Sequence, residues 1–157
     1  EVPVGSTISS AVLTLNNSKS QPTGTVVKFH RALIGWGEGS SDATGEEGSG
    51  AIAVDADATW THAVKSGAQW ALAGGQAGAD YSATVSASQT VTSVSSYNFS
   101  GSAITADVQD MLDNPATNFG WFLISDELTQ QTAKRFDSHE NVASANRPRL
   151  ELEYTSP

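Results

Sequence analysis

The stretch from Asn118 to Tyr154, NFGWFLISDELTQQTAKRFDSHENVASANRPRLELEY, restricts the possible folds more than any other part of the chain. It holds three strand-like runs and two polar connections, with a proline just before the last run. In FGWFLIS, Phe119, Trp121 and Leu123 fall on one side of an extended backbone and Phe122 and Ile124 on the other, because successive side chains of a strand point to opposite faces. Both faces therefore want covering. Burying one such side chain yields roughly 1.5–3 kcal/mol, so this run is the expected centre of the core. In RLELEY, Leu150, Leu152 and Tyr154 alternate with Arg149, Glu151 and Glu153, the pattern of a strand with one dry and one wet face. The reading is an all-β chain, a sandwich or barrel, closed by its final strand.

The upstream chain agrees. ISSAVLTL places Ala11, Leu13 and Leu15 on one face of a first strand, and NNSKSQPTG reads as a connection. TVVKFHRAL follows as a second strand, with Val27, Phe29, Arg31 and Leu33 in one phase. Residues 34–50, IGWGEGSSDATGEEGSG, are too rich in glycine for a regular element and predict a long loop around Trp36. The loop character continues through residues 51–78, which carry Trp60 and Trp70, with a short helical turn expected near Ala58–Val64. Residues 80–99 read as two strands or one bent strand. The single helix is expected in TADVQDMLDN, where Val108, Met111 and Leu112 form one stripe, Thr105 serves as N-cap, Asp107 complements the helix dipole and Pro115 stops the helix. No internal repeat or linker separates two cores, so residues 1–157 read as a single domain.

Charge and composition exclude several classes. Seventeen acidic against eight basic residues give a formal charge of −9, which repels phosphate backbones and anionic membranes, so nucleic acid is not an expected partner. The absence of cysteine excludes disulfides, thiolate metal sites and thiol nucleophiles. No apolar run reaches the roughly 20 residues that span a bilayer, so membrane insertion is not expected, and EVPVGSTISS lacks the regions of a signal peptide. The Ser-, Thr-, Ala- and Gly-rich, Lys-poor composition suits an extracellular protein or one on a cell or virion surface.

Several ordered motifs span nearly the whole chain: PVGSTISSAVLTL, the Asp57–Trp60 step, the helix and strand from Asp107 to Leu123, and Phe136, Ser138, Glu140, Arg147, Pro148 and Leu150–Tyr154 at the end. In this order and spacing they resemble the DNRLRE domain family and related carbohydrate-binding modules of secreted proteins. The resemblance implies a jelly-roll β-sandwich with one short helix and long Gly-rich loops, acting as a glycan-binding or adhesive module without catalysis. Members of that family carry further strands upstream of the PVGST-like step. Either an N-terminal part has been cut away or omitted here, or those strands come from another chain; in the second case an open edge and an uncovered apolar groove can be filled by strand addition, which implies a second role as a structural subunit of a filament, surface layer or virion, partnered by copies of itself as a homo-oligomer or polymer.

His30, His62 and His139 lie far apart and fit no nucleophile or metal spacing, so no catalytic residue is assigned. Acid pairs at Glu46/Glu47, Asp55/Asp57 and Asp126/Glu127 are weighed for glycoside hydrolysis against chance in an acid-rich chain. Glu38, Asp42, Glu46 and Glu47 offer oxygen ligands suited to calcium, against the alternative of a solvated acidic loop. Trp36 and Trp70, with Glu38 and Arg135, are the candidate carbohydrate contacts, whereas Trp60 and Trp121 are expected to plug the core. Arg147 is expected to pair with Glu140.

Overall fold

A computed structural model describes residues 2–41 and 50–157. It is mostly β, with two antiparallel sheets and, among the described residues, one α-helix. The strands are β1 (Thr7–Ser20), β2 (Thr25–Ala32), β3 (Tyr81–Val91), β4 (Ser95–Ser100), β5 (Trp121–Ile124), β6 (Lys134–Phe136) and β7 (Arg149–Thr155); the helix is α1 (Ser102–Asp113). One sheet holds β4, β1, β6 and β7, and the other runs β3-β2-β5. The chain forms two compact units, one of Glu1–His30, Val85–Ala116 and Leu123–Pro157, the other of Arg31–Thr84 and Thr117–Phe122.

In the first unit β1 is the strand to which the others attach. It pairs antiparallel with β4 along Val12–Asn17, with β7 along Thr7–Thr14 and with β6 along Asn17–Ser20. It is longer than its apolar run predicts. The sequence places Asn16 and Asn17 at the start of a loop, but both pair with β4, and Asn17 is fully buried on the face that also carries Ala11, Leu13 and Leu15. Its side-chain Nδ2 donates to Ser93 O at 2.8 Å, so a residue type that usually signals a turn here ties the strand to the β3–β4 connection. Where β4 ends, α1 takes over. Gln109 Oε1 accepts from Ile8 N–H at 2.7 Å and its Nε2 donates to Ser6 O at 3.1 Å, so one side-chain amide extends the ladder.

The interior of this unit draws on both sheets and the helix. Ile8, Ala11, Leu13 and Leu15 of β1, Val27 and Phe29 of β2, Ala87 and Val91 of β3, Phe99 of β4, and Ile104, Val108 and Met111 of α1 are buried. Phe29 and Phe99 meet edge to face with centroids 4.7 Å apart, an arrangement that adds about 0.5–1.5 kcal/mol beyond area burial. Three sequence expectations change here. The helix starts at Ser102, because Ile104 extends the apolar stripe by a turn; Gly101 is the N-cap, and Thr105 lies inside, its Oγ1 donating to Gly101 O at 2.9 Å. The segment Ala58–Val64 forms no helix; its backbone bonds to Gly37, Ala68, Trp70 and Gly74 instead. Finally, the aromatic run is not the middle of the core: β5 spans only Trp121–Ile124, lies at the edge of its sheet and is half-buried or exposed throughout. Two apolar faces on a strand record what could be covered, and coverage depends on which elements reach it.

Residues 80–99 are two strands in different sheets, β3 and β4, joined by an arch that Tyr97 holds closed. Its phenol oxygen accepts from Thr92 N–H at 3.1 Å and Ser93 N–H at 3.0 Å and donates to Ser93 O at 2.9 Å. The hydroxyl and backbone of Ser93 stabilise the phenolate most, lowering the pKa from 10.0 to about 8. Between these values the folded chain binds fewer protons than the unfolded one, so this group adds stability as pH rises through that window. Phenolate absorbance should show one tyrosine titrating near pH 8 that is missing in Tyr97→Phe. Chemical denaturation should show Phe99→Ala costing about 3–5 kcal/mol and the half-exposed Leu123→Ala below about 1 kcal/mol.

Candidate functional site

The second unit contains the long irregular segment, and buried carboxylates organise it. Asp57 is buried and accepts from the backbone N–H groups of Val54 (2.6 Å), Ser40 (3.0 Å) and Ser41 (3.3 Å). Donation by the Ser41 hydroxyl and then by the Val54 amide holds its pKa below the ordinary 3.8. Gly39 is required beside it, with φ of 69° and space so tight that a Cβ would stand 1.6 Å from Asp57 Oδ1. Asp80, also buried, accepts from Ala71 N–H at 2.9 Å and Gln76 N–H at 2.7 Å, while its own carbonyl accepts from Leu33 N–H. A loop without a ladder must still pair its buried amides, and these two aspartates do so.

On this base stands a tight hairpin. Thr59 N–H donates to His62 O, Trp70 N–H to Thr61 O, and Val64 N–H to Ala68 O, so the backbone reverses at Lys65–Gly67. His62 and Gln69 form the cross-strand bridge. Their side chains also meet, His62 Nε2 lying 3.3 Å from Gln69 Nε2 and His62 Nδ1 2.8 Å from Thr61 Oγ1. Trp60, one residue before Thr61 in the chain, is 62% exposed. One face of its indole rests on Gly74, where φ is 83° and a Cβ would come within 2.3 Å of the ring. The ring is thus seated by backbone and open to solvent over most of its surface.

The exposures of the tryptophans differ from the sequence reading. Trp60, expected as a plug, is the most exposed indole on which the structure reports; Trp70, expected as a contact, donates Nε1–H to Thr59 O at 2.8 Å and packs edge to face on Phe122, centroids 5.1 Å apart. Trp36 is 45% exposed and anchored through Nε1–H to Phe119 O at 2.8 Å. Gly37, next to it, bonds to Ala58 and Ala63, so Trp36 and Trp60 belong to the same knot of loop. Glu38 is exposed on that loop. Arg135 belongs to the other unit, on β6, where its Nε donates to Ser18 Oγ at 3.1 Å. Beside it burial pushes the Asp137 carboxyl up, but Ser18, Asn16 and the Arg135 charge outweigh this and leave the pKa lowered. Arg147 Nε donates to Asn141 O, and Glu140 pairs with His139 at 2.7 Å in place of the expected arginine.

Of the calcium candidates, Asp42, Glu46 and Glu47 lie outside the described residues, as does the acid pair Glu46/Glu47. Among the described residues no three His, Asp or Glu side chains are grouped as a metal site. Asp55 accepts from Ser66 Oγ at 2.8 Å, and Asp126 caps its own loop through Leu128 N–H and the Thr129 hydroxyl. Two surface hollows in the first unit, about 330 and 730 Å³, are lined by no aromatic ring. The sequence signal missed was Ser66-Gly67 between TWTHAV and AQWAL, a turn dipeptide between two short extended runs. No family model, curated protein or solved structure matches the chain.

Asp80→Ala leaves the Ala71 and Gln76 amides unpaired and should cost about 1–3 kcal/mol for each, read by chemical denaturation. Limited proteolysis of Asp57→Asn should show faster cleavage within residues 50–58, with the first unit intact.

Proposed function

We propose that the chain is a non-catalytic surface module, extracellular or on a cell or virion, that binds a neutral glycan through Trp60. The observation that carries this reading is an indole seated on Gly74 with most of its surface in solvent, in a hairpin that also carries the hydrogen-bonding groups of Thr61, His62 and Gln69. A sugar ring offers an apolar C–H face to stack on the indole and hydroxyls to exchange hydrogen bonds with an amide, an imidazole and a hydroxyl, which is the pairing such an amphipathic surface favours. The charge of −9 disfavours anionic polysaccharides. Within this reading Trp70 positions the hairpin and Trp36 extends the aromatic surface.

The fold belonging to this role is a β-sandwich of jelly-roll type. The burial of residues from both sheets in the first unit, with Phe29 against Phe99, supports the sandwich. Calcium on the Glu38–Glu47 loop is part of the same proposal. A second reading, chains joined by complementary strands into a structural assembly, is supported by β7, which among the described residues pairs on one side only, with β1.

Affinity electrophoresis and tryptophan fluorescence against a panel of neutral polysaccharides, with calcium and with chelator, test the glycan reading. Binding is expected, weakened about tenfold or more by Trp60→Ala and also by Gly74→Ala, which displaces the ring without removing it. Absence of binding across the panel under both conditions, or binding indifferent to both substitutions, overturns it.

A further inference from the structure

β7 runs seven residues without proline or lysine, and its outer edge is unpaired among the described residues. Leu150, Leu152 and Tyr154 lie opposite Leu13, Ala11 and Ile8 of β1, on the same face. The β1 residues are buried, yet Leu150 and Tyr154 remain 41% and 42% exposed. The dry face of the sheet thus reaches its last strand before its cover does. Proteins usually guard such an edge with lysine, proline, a bulge or a short strand, and here the charges all lie on the opposite face, as Arg149, Glu151 and Glu153.

Those charges select an occupant. Two copies of β7 can pair antiparallel about a two-fold axis normal to the sheet, which keeps the apolar face of each copy on the same side. With the axis at Glu151 that carboxylate faces itself, and with the axis at Leu152, Glu151 faces Glu153. With the axis at Leu150, Arg149 faces the partner's Glu151 on both sides of the axis, so these charges meet their opposites, and Pro148 just before the strand marks where the pairing ends. Arg149 and Glu151 are exposed and separated by 3.1 Å within one chain, so both are free to re-pair across the axis without burial. Opposite charges directly across an antiparallel pair stabilise it and like charges weaken it.

We propose that a second copy of this chain completes the four-stranded sheet through β7, antiparallel and two-fold about Leu150. The proposal deepens the reading of chains joined by complementary strands and rests on it. Because the contact is isologous it closes at two copies.

Sedimentation velocity on the whole chain, with circular dichroism to verify folding, provides the test. The unaltered chain should be a dimer. Arg149→Glu and Glu151→Arg should each raise the dissociation constant about tenfold or more, and an equimolar mixture of the two should dimerise again, because the mixed pair regains both complementary contacts. In this cysteine-free chain, Leu150→Cys should cross-link two copies on oxidation while Leu152→Cys does not. A chain that stays monomeric at hundreds of micromolar overturns the proposal and the reading beneath it. Self-association indifferent to both charge reversals, or cross-linking through position 152, overturns the proposal and leaves that reading standing on another edge or register.

Discussion

The backbone of β1 must be paired along both of its edges, and most of the first unit follows from that. A buried peptide group left without a partner costs about as much as a lost hydrogen bond, so a 14-residue strand needs neighbours over its whole length. Three strands and one glutamine supply most of them: β4 along Val12–Asn17 on one edge, with Gln109 bonding Ile8 beyond its end, and β7 and β6 in succession on the other. The side chains on its inner face then decide where the second sheet and the helix can settle. Asn17 at the end of that face and Tyr97 on β4 both hold Ser93, which fixes where the chain leaves one sheet for the other.

The second unit meets the same requirement by different means. Its loops are too irregular for a ladder, and two buried aspartates gather backbone amides in its place, each accepting from one residue within four positions and one farther along the loop. A carboxylate accepts several donors in directions a single carbonyl cannot, which makes it the economical organiser of a chain with few regular bonds. The hairpin built on this base is held by backbone bonds and by Trp70, leaving Trp60 free of structural duty beyond its contact with Gly74.

The β class, β1 and β2, the extended character of residues 80–99 and the closing strand are legible as alternation with period two, whereas the choice between two strands and one bent strand in residues 80–99 is not. The helix was legible as a stripe, although its start was missed because Gly101 caps it with no side-chain bond and Ile104 extends the stripe beyond the expected first turn. Asn16 and Asn17 misled because their usual preference for turns yields to pairing with β4. The aromatic run around Trp121 misled for a related reason: apolar content on both faces was read as burial, while its place at a sheet edge leaves it half-covered. Nothing in the sequence around Trp60 (ATWTHA) and Trp70 (AQWALAG) indicates which ring is the more exposed.

The linear order of residues determined which segments extend, which one coils, where glycine permits sharp reversals, and that the surface is strongly acidic. These are local properties, set by side-chain periodicity and backbone freedom within a few residues. Tertiary structure alone decided which indole faces water, which aspartates became anchors, and that the dry face of the last strand runs past its cover. Exposure is a property of what packs against a residue from elsewhere in the chain, and no window of neighbouring residues contains that information.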